Sequence, residues 1–120
     1  MKLIIAGSRN LTVDQHLIHW LIYTCFKLDP KMIIAGESGN VDICAKFYAQ
    51  SMKNTGMQYK GYAAKWGKLG RKAGPIRNGQ MAQDGDALLL IWDGKSRGSA
   101  NMKSQMIKLK KPVYECILRS

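Results

Sequence analysis

The sequence predicts an α/β fold with an open parallel sheet of about five strands and helices on both faces. Two features predict it: apolar runs alternate with helical patterns along the 120 residues, and the run "DALLLIW" at residues 86–92 is apolar from its second residue on. Alternating strands and helices are typical of parallel sheets. A strand that reads as an unbroken apolar run is typical of a sheet covered on both faces. We expect one domain over residues 1–120.

The first strand is predicted in "KLIIAG" at residues 2–7, and a helix follows it. Thr12 and Gln15 form a capping-box signature, which predicts the start of that helix. Asp29 and Pro30 stop the helical pattern. The apolar residues that follow helical spacing between these points are Val13, Leu17, Ile18, Leu21, Ile22, Cys25 and Phe26. They predict a helix packed on the sheet.

The second strand is predicted in "KMIIAG" at residues 31–36, and a helix follows over about residues 41–52. Its spacing predicts that Ile43 and Phe47 face inward, with Ala45 and Tyr48 as further candidates. "MQYKGY" at residues 57–62 is a weaker candidate for a third strand.

The second half of the chain repeats the strand and helix pattern. Pro75 is tolerated in the first turn of a helix, so a short helix is predicted from there to about Gln83. The fourth strand is the apolar run, and Ser99 is predicted to open the last helix. Pro112 then precedes a fifth strand at residues 113–118.

The charge of the chain is strongly positive and unevenly distributed. Nineteen Lys and Arg against eight Asp and Glu give +11, and no acid occurs between Ile43 and Gln83. The cations of that stretch are Lys46, Lys53, Lys60, Lys65, Lys68, Arg71, Lys72 and Arg77. Such a region attracts anions, and a polyanion and a phosphorylated small molecule are equal candidates. Surface lysines in solvent are the alternative.

Several classes of protein are excluded by composition. No apolar stretch approaches the roughly 20 residues that span a bilayer, and the start lacks the apolar core of a signal peptide. Three cysteines, an odd number in apolar surroundings, favour reduced thiols in the cytoplasm over disulfides. His16 and His19 lie three apart with no evident third ligand, so neither a metal site nor a cofactor is predicted.

Four segments that follow predicted strands contain glycine: residues 7–10, 36–42, 65–78 and 93–99. In open parallel sheets, ligands bind beyond the carboxyl ends of the strands, where helix N-termini present free N–H groups to anions. One glycine turn alone is usually structural. Because four segments agree, we expect them to gather at one edge and form a site.

Three motifs carry a family resemblance: "AGSR" at residues 6–9, "AKWGKLGRKAGPIRNGQMA" at 64–82 and "WDGKSRGSANM" at 92–102. In order and spacing they resemble the YspA-like (cpYpsA-related) branch of the SLOG superfamily. These domains are Rossmann-like and related to cytokinin-activating phosphoribohydrolases, molybdenum-cofactor carrier proteins and the DNA-processing protein DprA. The resemblance implies a Rossmann-like domain that binds a nucleotide derivative.

Carried over residue by residue, the resemblance implies a ligand site at one edge of the sheet. Its residues are Gly7, Ser8, Arg9, Gly36, Asp42, Gly74, Arg77, Asn78, Asp93, Gly94, Lys95, Ser96, Arg97 and Gly98. Family members usually carry glycine where this chain has Glu37 and Asn40. A carboxylate would repel phosphate, so we expect Glu37 to limit anion binding at its loop.

Physical chemistry suggests roles for these residues. Backbone N–H groups over residues 94–99, next to the helix that Ser99 is predicted to cap, suit a phosphate. Arg9, Arg77 or Lys95 would neutralise it. The alternative for Arg77, which lies in the first turn of a predicted helix, is a side chain that is simply solvated.

The remaining candidates have two interpretations each. Asp42 is placed either to accept hydrogen bonds from a ribose or to complement the helix dipole. Trp66 and Trp92 are candidates to stack on a base, and for Trp92, directly after a buried strand, a core position is at least as well supported.

Three functions remain open. The first is a binder of a nucleotide or ADP-ribose-like signalling molecule, linear or cyclic, which acts as a sensor or as a sequestering, sponge-type phage anti-defence protein. The second is a phosphoribohydrolase-like enzyme acting on nucleoside monophosphates, but the "PGGxGTxxE" element of such enzymes has no counterpart here, and no catalytic residue is assigned. The third is DprA-like nucleic-acid binding. The aromatic segment at residues 16–26 and the frequent dimerisation of the related proteins predict a homo-oligomer.

Overall fold

The computed structural model describes residues 1–118 and contains one five-stranded sheet. The strands are β1 (Lys2–Gly7), β2 (Met32–Ala35), β3 (Gln58–Gly61), β4 (Ala87–Trp92) and β5 (Val113–Ile117). Their order is β3-β2-β1-β4-β5, and every neighbouring pair is parallel. The predicted α/β fold with an open, Rossmann-like parallel sheet is therefore confirmed.

Helices cover both faces of this sheet. They are α1 (Gln15–Leu28), α2 (Asn40–Ser51), the one-turn α3 (Trp66–Leu69), α4 (Ala73–Asp84) and α5 (Arg97–Lys108). Alternate residues of β4 point to opposite faces: Leu89 packs with α1 and α2, whereas Leu90 packs with α4 and α5. Met102 and Met106 of α5 are buried in the second layer.

The prediction for the start of α1 is wrong. The helix begins at Gln15, and Asp14 caps it by accepting hydrogen bonds from the N–H groups of His16 (3.0 Å) and Leu17 (3.1 Å). An Asp directly before the first turn satisfies two free N–H groups, so a capping box at Thr12 is not needed. Val13 lies before the helix and is half exposed.

The predicted inward face of α2 is right for Ala45 and Tyr48, which pack on the core, and wrong for Ile43 and Phe47. Ile43 and Phe47 are 49% and 67% exposed, whereas Val41, Ala45 and Ala49 are buried against the sheet. Small residues on the buried face let the helix approach the strands closely. The large apolar residues are left on the outside.

The last helix begins earlier than predicted. Its cap is Ser96, whose Oγ accepts a hydrogen bond from the N–H of Ser99 at 3.2 Å. Ser99 is buried in the first turn. Pro75 lies in the first turn of α4, where its missing N–H costs no helical hydrogen bond.

The order of the strands creates a crevice. After β1 the chain adds β2 and β3 on one side, then crosses to place β4 and β5 on the other side. The loops after β1 and β4 therefore diverge to opposite faces of the sheet. Ligands of open α/β sheets bind at such a switch point.

Candidate functional site: a cleft at the carboxyl edge of the sheet

A cleft of about 600 Å³ lies at the carboxyl ends of the strands. This volume is within the roughly 300–1,000 Å³ of small-molecule sites. The loops after β1, β2, β3 and β4 all contribute to its wall, as expected. The predicted site residues that line it are Gly7, Ser8, Arg9, Gly36, Asp42, Trp66, Gly74, Arg77, Asn78, Asp93, Ser96, Arg97, Gly98 and Ser99.

Two predicted residues, Gly94 and Lys95, do not line the cleft. Gly94 has a φ of +81°, a left-handed conformation that turns the loop. Both residues are exposed on the outside of that turn. Lys95 is therefore not positioned as a direct contact to an anion inside the cleft.

Arg77 is the central side chain of the cleft, and it is 9% exposed. Its Nη1 donates to the carbonyl oxygen of Gly36 at 2.6 Å and lies 3.5 Å from both Ser38 Oγ and the carbonyl oxygen of Tyr62. Its Nε donates to Asn78 Oδ1 at 3.1 Å. Arg77 therefore ties α4 to the loops after β2 and β3.

The guanidinium of Arg77 has unused donors. Within residues 1–118, its Nη2 makes no hydrogen bond, although the residue lines the cleft. Burial lowers the pKa of Arg77, opposed by the charge of Asp42. The group stays a cation at neutral pH because arginine is not deprotonated in proteins.

Asn78 performs a structural task. Its Nδ2 donates to the carbonyl oxygen of Gly98 (3.2 Å) and to Asn101 Oδ1 (3.1 Å), and its Oδ1 accepts from Arg77. The side chain thus joins α4 to the first turn of α5. We assign it to shaping the cleft, because these bonds use both of its polar atoms.

Arg9 and Trp66 form a pair at the mouth of the cleft. The Arg9 guanidinium lies 5.2 Å from the centre of the Trp66 ring, a cation–π distance. The Trp66 ring also packs over Gly74, where a Cβ would be 3.0 Å from it. Because Trp66 is 45% exposed, one side of the ring system remains open to a ligand.

Asp42 is buried in the first turn of α2, and its Oδ2 accepts hydrogen bonds from Ser38 N (3.0 Å) and Ser38 Oγ (3.2 Å). Desolvation raises the pKa of Asp42, while the Ser38 bonds and the charges of Arg77 and Arg9 oppose the rise. Within residues 1–118 its Oδ1 makes no hydrogen bond. One carboxylate oxygen therefore orders the loop after β2, and the other is available to accept a hydrogen bond from a ligand.

The loop at residues 93–99 is held together by Asp93. Its Oδ1 accepts from the N–H groups of Lys95 (2.8 Å) and Ser96 (2.9 Å), and these bonds lower its pKa. Its own N–H donates to Ser8 Oγ at 3.1 Å, which links the loops after β4 and β1. The predicted backbone cradle is thus partly occupied, and the N–H groups of Arg97 and Gly98 remain.

Two side chains considered from the sequence lie away from the cleft. Trp92 is buried, and its Nε1 donates to Glu115 Oε2 at 2.7 Å, so it belongs to the core. Glu37 accepts from the Tyr59 hydroxyl at 3.0 Å and lies 3.8 Å from Lys46. Glu37 does not line the cleft, so this placement does not support the expectation that it limits anion binding there.

The cleft also contains residues that the sequence reasoning did not assign to the ligand site. They are Ala6, Asn10, Leu11, Ser38, Arg71, Pro75, Met81, Asn101 and Met102. Arg71 belongs to the acid-free stretch, which was the signal for it. Ser38 lies in the predicted loop after β2, but nothing in the sequence indicated its bond to Asp42.

The chemistry of the lining favours binding. Among the lining residues the carboxylates are Asp42 and Asp93, the cations are arginines, and neither histidine nor cysteine occurs. The serine hydroxyls therefore have no imidazole beside them to act as a general base.

Among residues 1–118, no helix is both long and apolar enough to cross a bilayer. In comparisons with known proteins, no family model and no curated protein matches the chain.

Proposed function

We propose that the cleft binds a discrete, phosphate-bearing nucleotide derivative and that the protein acts by binding it. One observation carries the proposal: Arg9, Arg71, Arg77 and Arg97 line a single cleft whose two carboxylates are partly engaged in loop hydrogen bonds. The guanidinium group matches phosphate oxygens in two-point hydrogen bonds. The resemblance to the SLOG superfamily agrees with this ligand class.

The phosphate is expected at the N-terminus of α5. There the N–H groups of Arg97 and Gly98 are free of partners within residues 1–118, and Gly98 has nothing within 4 Å of where a Cβ would stand. Free N–H groups and the helix dipole attract an anion. The Arg97 side chain adds a charge to the same wall.

The nucleoside is expected nearer to Trp66 and Asp42. The exposed ring of Trp66 offers a stacking surface for a base, worth about 1–3 kcal/mol per base in known complexes. The free oxygen of Asp42 is an acceptor for ribose hydroxyl groups. A ligand with a base, a ribose and phosphate is therefore the class that uses every side of the cleft.

The experiment compares Arg97→Ala with Lys95→Ala. The two cations are two residues apart, but Arg97 lines the cleft and Lys95 does not. With AMP, ADP and ADP-ribose as calorimetric probes, Arg97→Ala should weaken binding about tenfold, since a charged hydrogen bond contributes about 1.5–3 kcal/mol. Lys95→Ala should leave affinity within about twofold.

Native mass spectrometry of protein purified from cells provides an independent test. A retained small molecule that is released on denaturation would identify the ligand. If no nucleotide derivative binds, while single-stranded DNA binds with a steep salt dependence, the DprA-like function replaces this one. The exposed cations Lys65, Lys68 and Lys72, which lie outside the cleft lining, would then be the contacts to test.

We propose sequestration or sensing of the ligand as the biological role. The two differ in how fast the ligand leaves. Stoichiometric capture with dissociation over minutes to hours indicates sequestration, whereas fast exchange indicates a sensor.

A further inference from the structure

Besides Trp20 and Tyr23, which line a groove with β5, the outer surface of α1 and α2 carries five large apolar side chains that the fold leaves exposed. They are Ile18, Ile22 and Phe26 of α1 and Ile43 and Phe47 of α2, exposed by 37%, 47%, 79%, 49% and 67%. Within each helix they recur every four residues, so they share one side. The two helices lie side by side on the same layer of the sheet. We call this surface the α1–α2 face.

This face is large enough for a stable interface. If a full aromatic side chain has about 150–250 Å², the exposed fractions of these five residues correspond to an apolar area on the order of 500 Å². A standard interface buries about 800 Å² per partner, of which about 56–65% is apolar. The five side chains thus supply roughly the apolar area that one partner needs.

The charge around the face restricts its partner. Residues 12–51 carry four acids and three cations, and because one of the acids, Asp42, is buried at the cleft, the surface of this stretch is close to neutral in a chain of +11. The charges of this stretch are also largely satisfied locally: Lys31 pairs with Asp29 at 3.6 Å, and Lys46 with Glu37 at 3.8 Å. This is therefore the part of the surface where another +11 chain meets the least repulsion.

We propose that the α1–α2 face packs against the same face of a second copy of the chain. The two surfaces match in area and are both close to neutral, as an interface with twofold symmetry requires. Phe26 and Phe47, the most exposed of the five, are the anchors. A lipid surface fits less well, because interfacial helices surround their apolar side with cations.

The arrangement keeps both clefts open. The cleft lies at the carboxyl edge of the sheet, whereas the five side chains lie on the outer side of a helix layer. The rest of each copy carries nearly all of the net positive charge, so the two copies repel each other over the remainder of their surfaces. Added salt should therefore strengthen the dimer by screening their repulsion, which is the opposite of what an interface held by ion pairs would show.

Sedimentation velocity of the full chain, from low to high micromolar concentration, tests the proposal. We expect a dimer for the wild type and an association at least about tenfold weaker for Phe26→Ser combined with Phe47→Ser. The matched control is Ile107→Ser on α5, which removes a 58% exposed residue from the opposite layer and should leave the dimer unchanged. Thermal unfolding of each variant verifies that it is folded.

Two results would overturn the proposal. One is a wild-type chain that remains a monomer at high micromolar concentration in both low and high salt. The other is a double variant that is folded and dimerises as strongly as the wild type, which would place the interface elsewhere. If the monomeric wild type floats with phosphatidylcholine vesicles and the double variant does not, the occupant is lipid.

Discussion

Nη1 of Arg77 lies 2.6 Å from the carbonyl oxygen of Gly36, so a side chain of α4 closes the end of β2. The two residues are 41 positions apart, and the bond is buried. A Cβ at Gly36 would stand 2.5 Å from the same nitrogen. A side chain at this position would therefore displace the guanidinium, which lines the cleft.

Arg77→Met should destabilise the fold by about 2–3 kcal/mol. The substitution keeps much of the apolar stem but leaves a buried carbonyl oxygen without its donor. Urea unfolding followed by circular dichroism measures the change. Arg71→Met is the control, because Arg71 lines the same cleft from an exposed position and should change stability by no more than about 0.5 kcal/mol. An equal decrease in the free energy of unfolding for both variants would show that the hydrogen bonds of Arg77 do not stabilise the fold.

Gly36→Ala should destabilise the protein by about 1–3 kcal/mol, because the new methyl group displaces the Arg77 guanidinium. The cost should be clearly smaller when Arg77 is already methionine. This double-mutant cycle isolates the contact between the two residues. Additive losses would mean that the alanine acts on the backbone of its loop instead.

The stability at low pH should depend on Asp84, at the end of α4. Its carboxylate accepts a hydrogen bond from Tyr62 (2.7 Å) and pairs with Lys60 and Lys2 (3.0 Å each), and these partners lower its pKa. A lowered pKa stabilises the folded state above the ordinary value near 3.9, and this contribution disappears as the pH falls through the folded pKa.

Asp84→Asn should accordingly lower the urea midpoint at pH 7, and the difference from the wild type should shrink below about pH 4. Urea titrations at several pH values measure it. Asp29→Asn is the control: the Asp29 side chain is 82% exposed beside Lys31, and asparagine tolerates the left-handed backbone at this position. A difference that stays constant with pH would contradict the assigned charge.

Gly98→Ala should separate stability from binding. Nothing lies within 4 Å of the new Cβ, and alanine favours the helix by about 0.5–1 kcal/mol over glycine, so the melting temperature should rise. The same methyl group enters the wall where we propose the phosphate, so ADP affinity should fall. A variant that gains stability and keeps its affinity would move the phosphate away from α5.

The fold was predictable because each buried strand is a short apolar run ending in or near a turn residue, which fixes the edge where the loops meet. The cleft followed from the same reasoning, since the carboxyl ends of parallel strands share one edge. The position of Lys95 was not predictable: the left-handed turn at Gly94 directs it outward, and composition does not reveal that turn. Spacing indicated Ala45 as an inward residue of α2, but it also indicated Ile43 and Phe47, because it could not show that α2 packs only through its smaller side chains.

The carboxylate of Asp93 is a built-in anion that organises the loop after β4. By accepting from the N–H groups of Lys95 and Ser96, its carboxylate fills the part of the turn that a phosphate would otherwise organise. Under the proposed function, the loop would hold its binding shape before any ligand arrives, and little conformational entropy would be lost on association. We expect the ligand to bind a preformed loop, with fast association and no change in the backbone of residues 93–99.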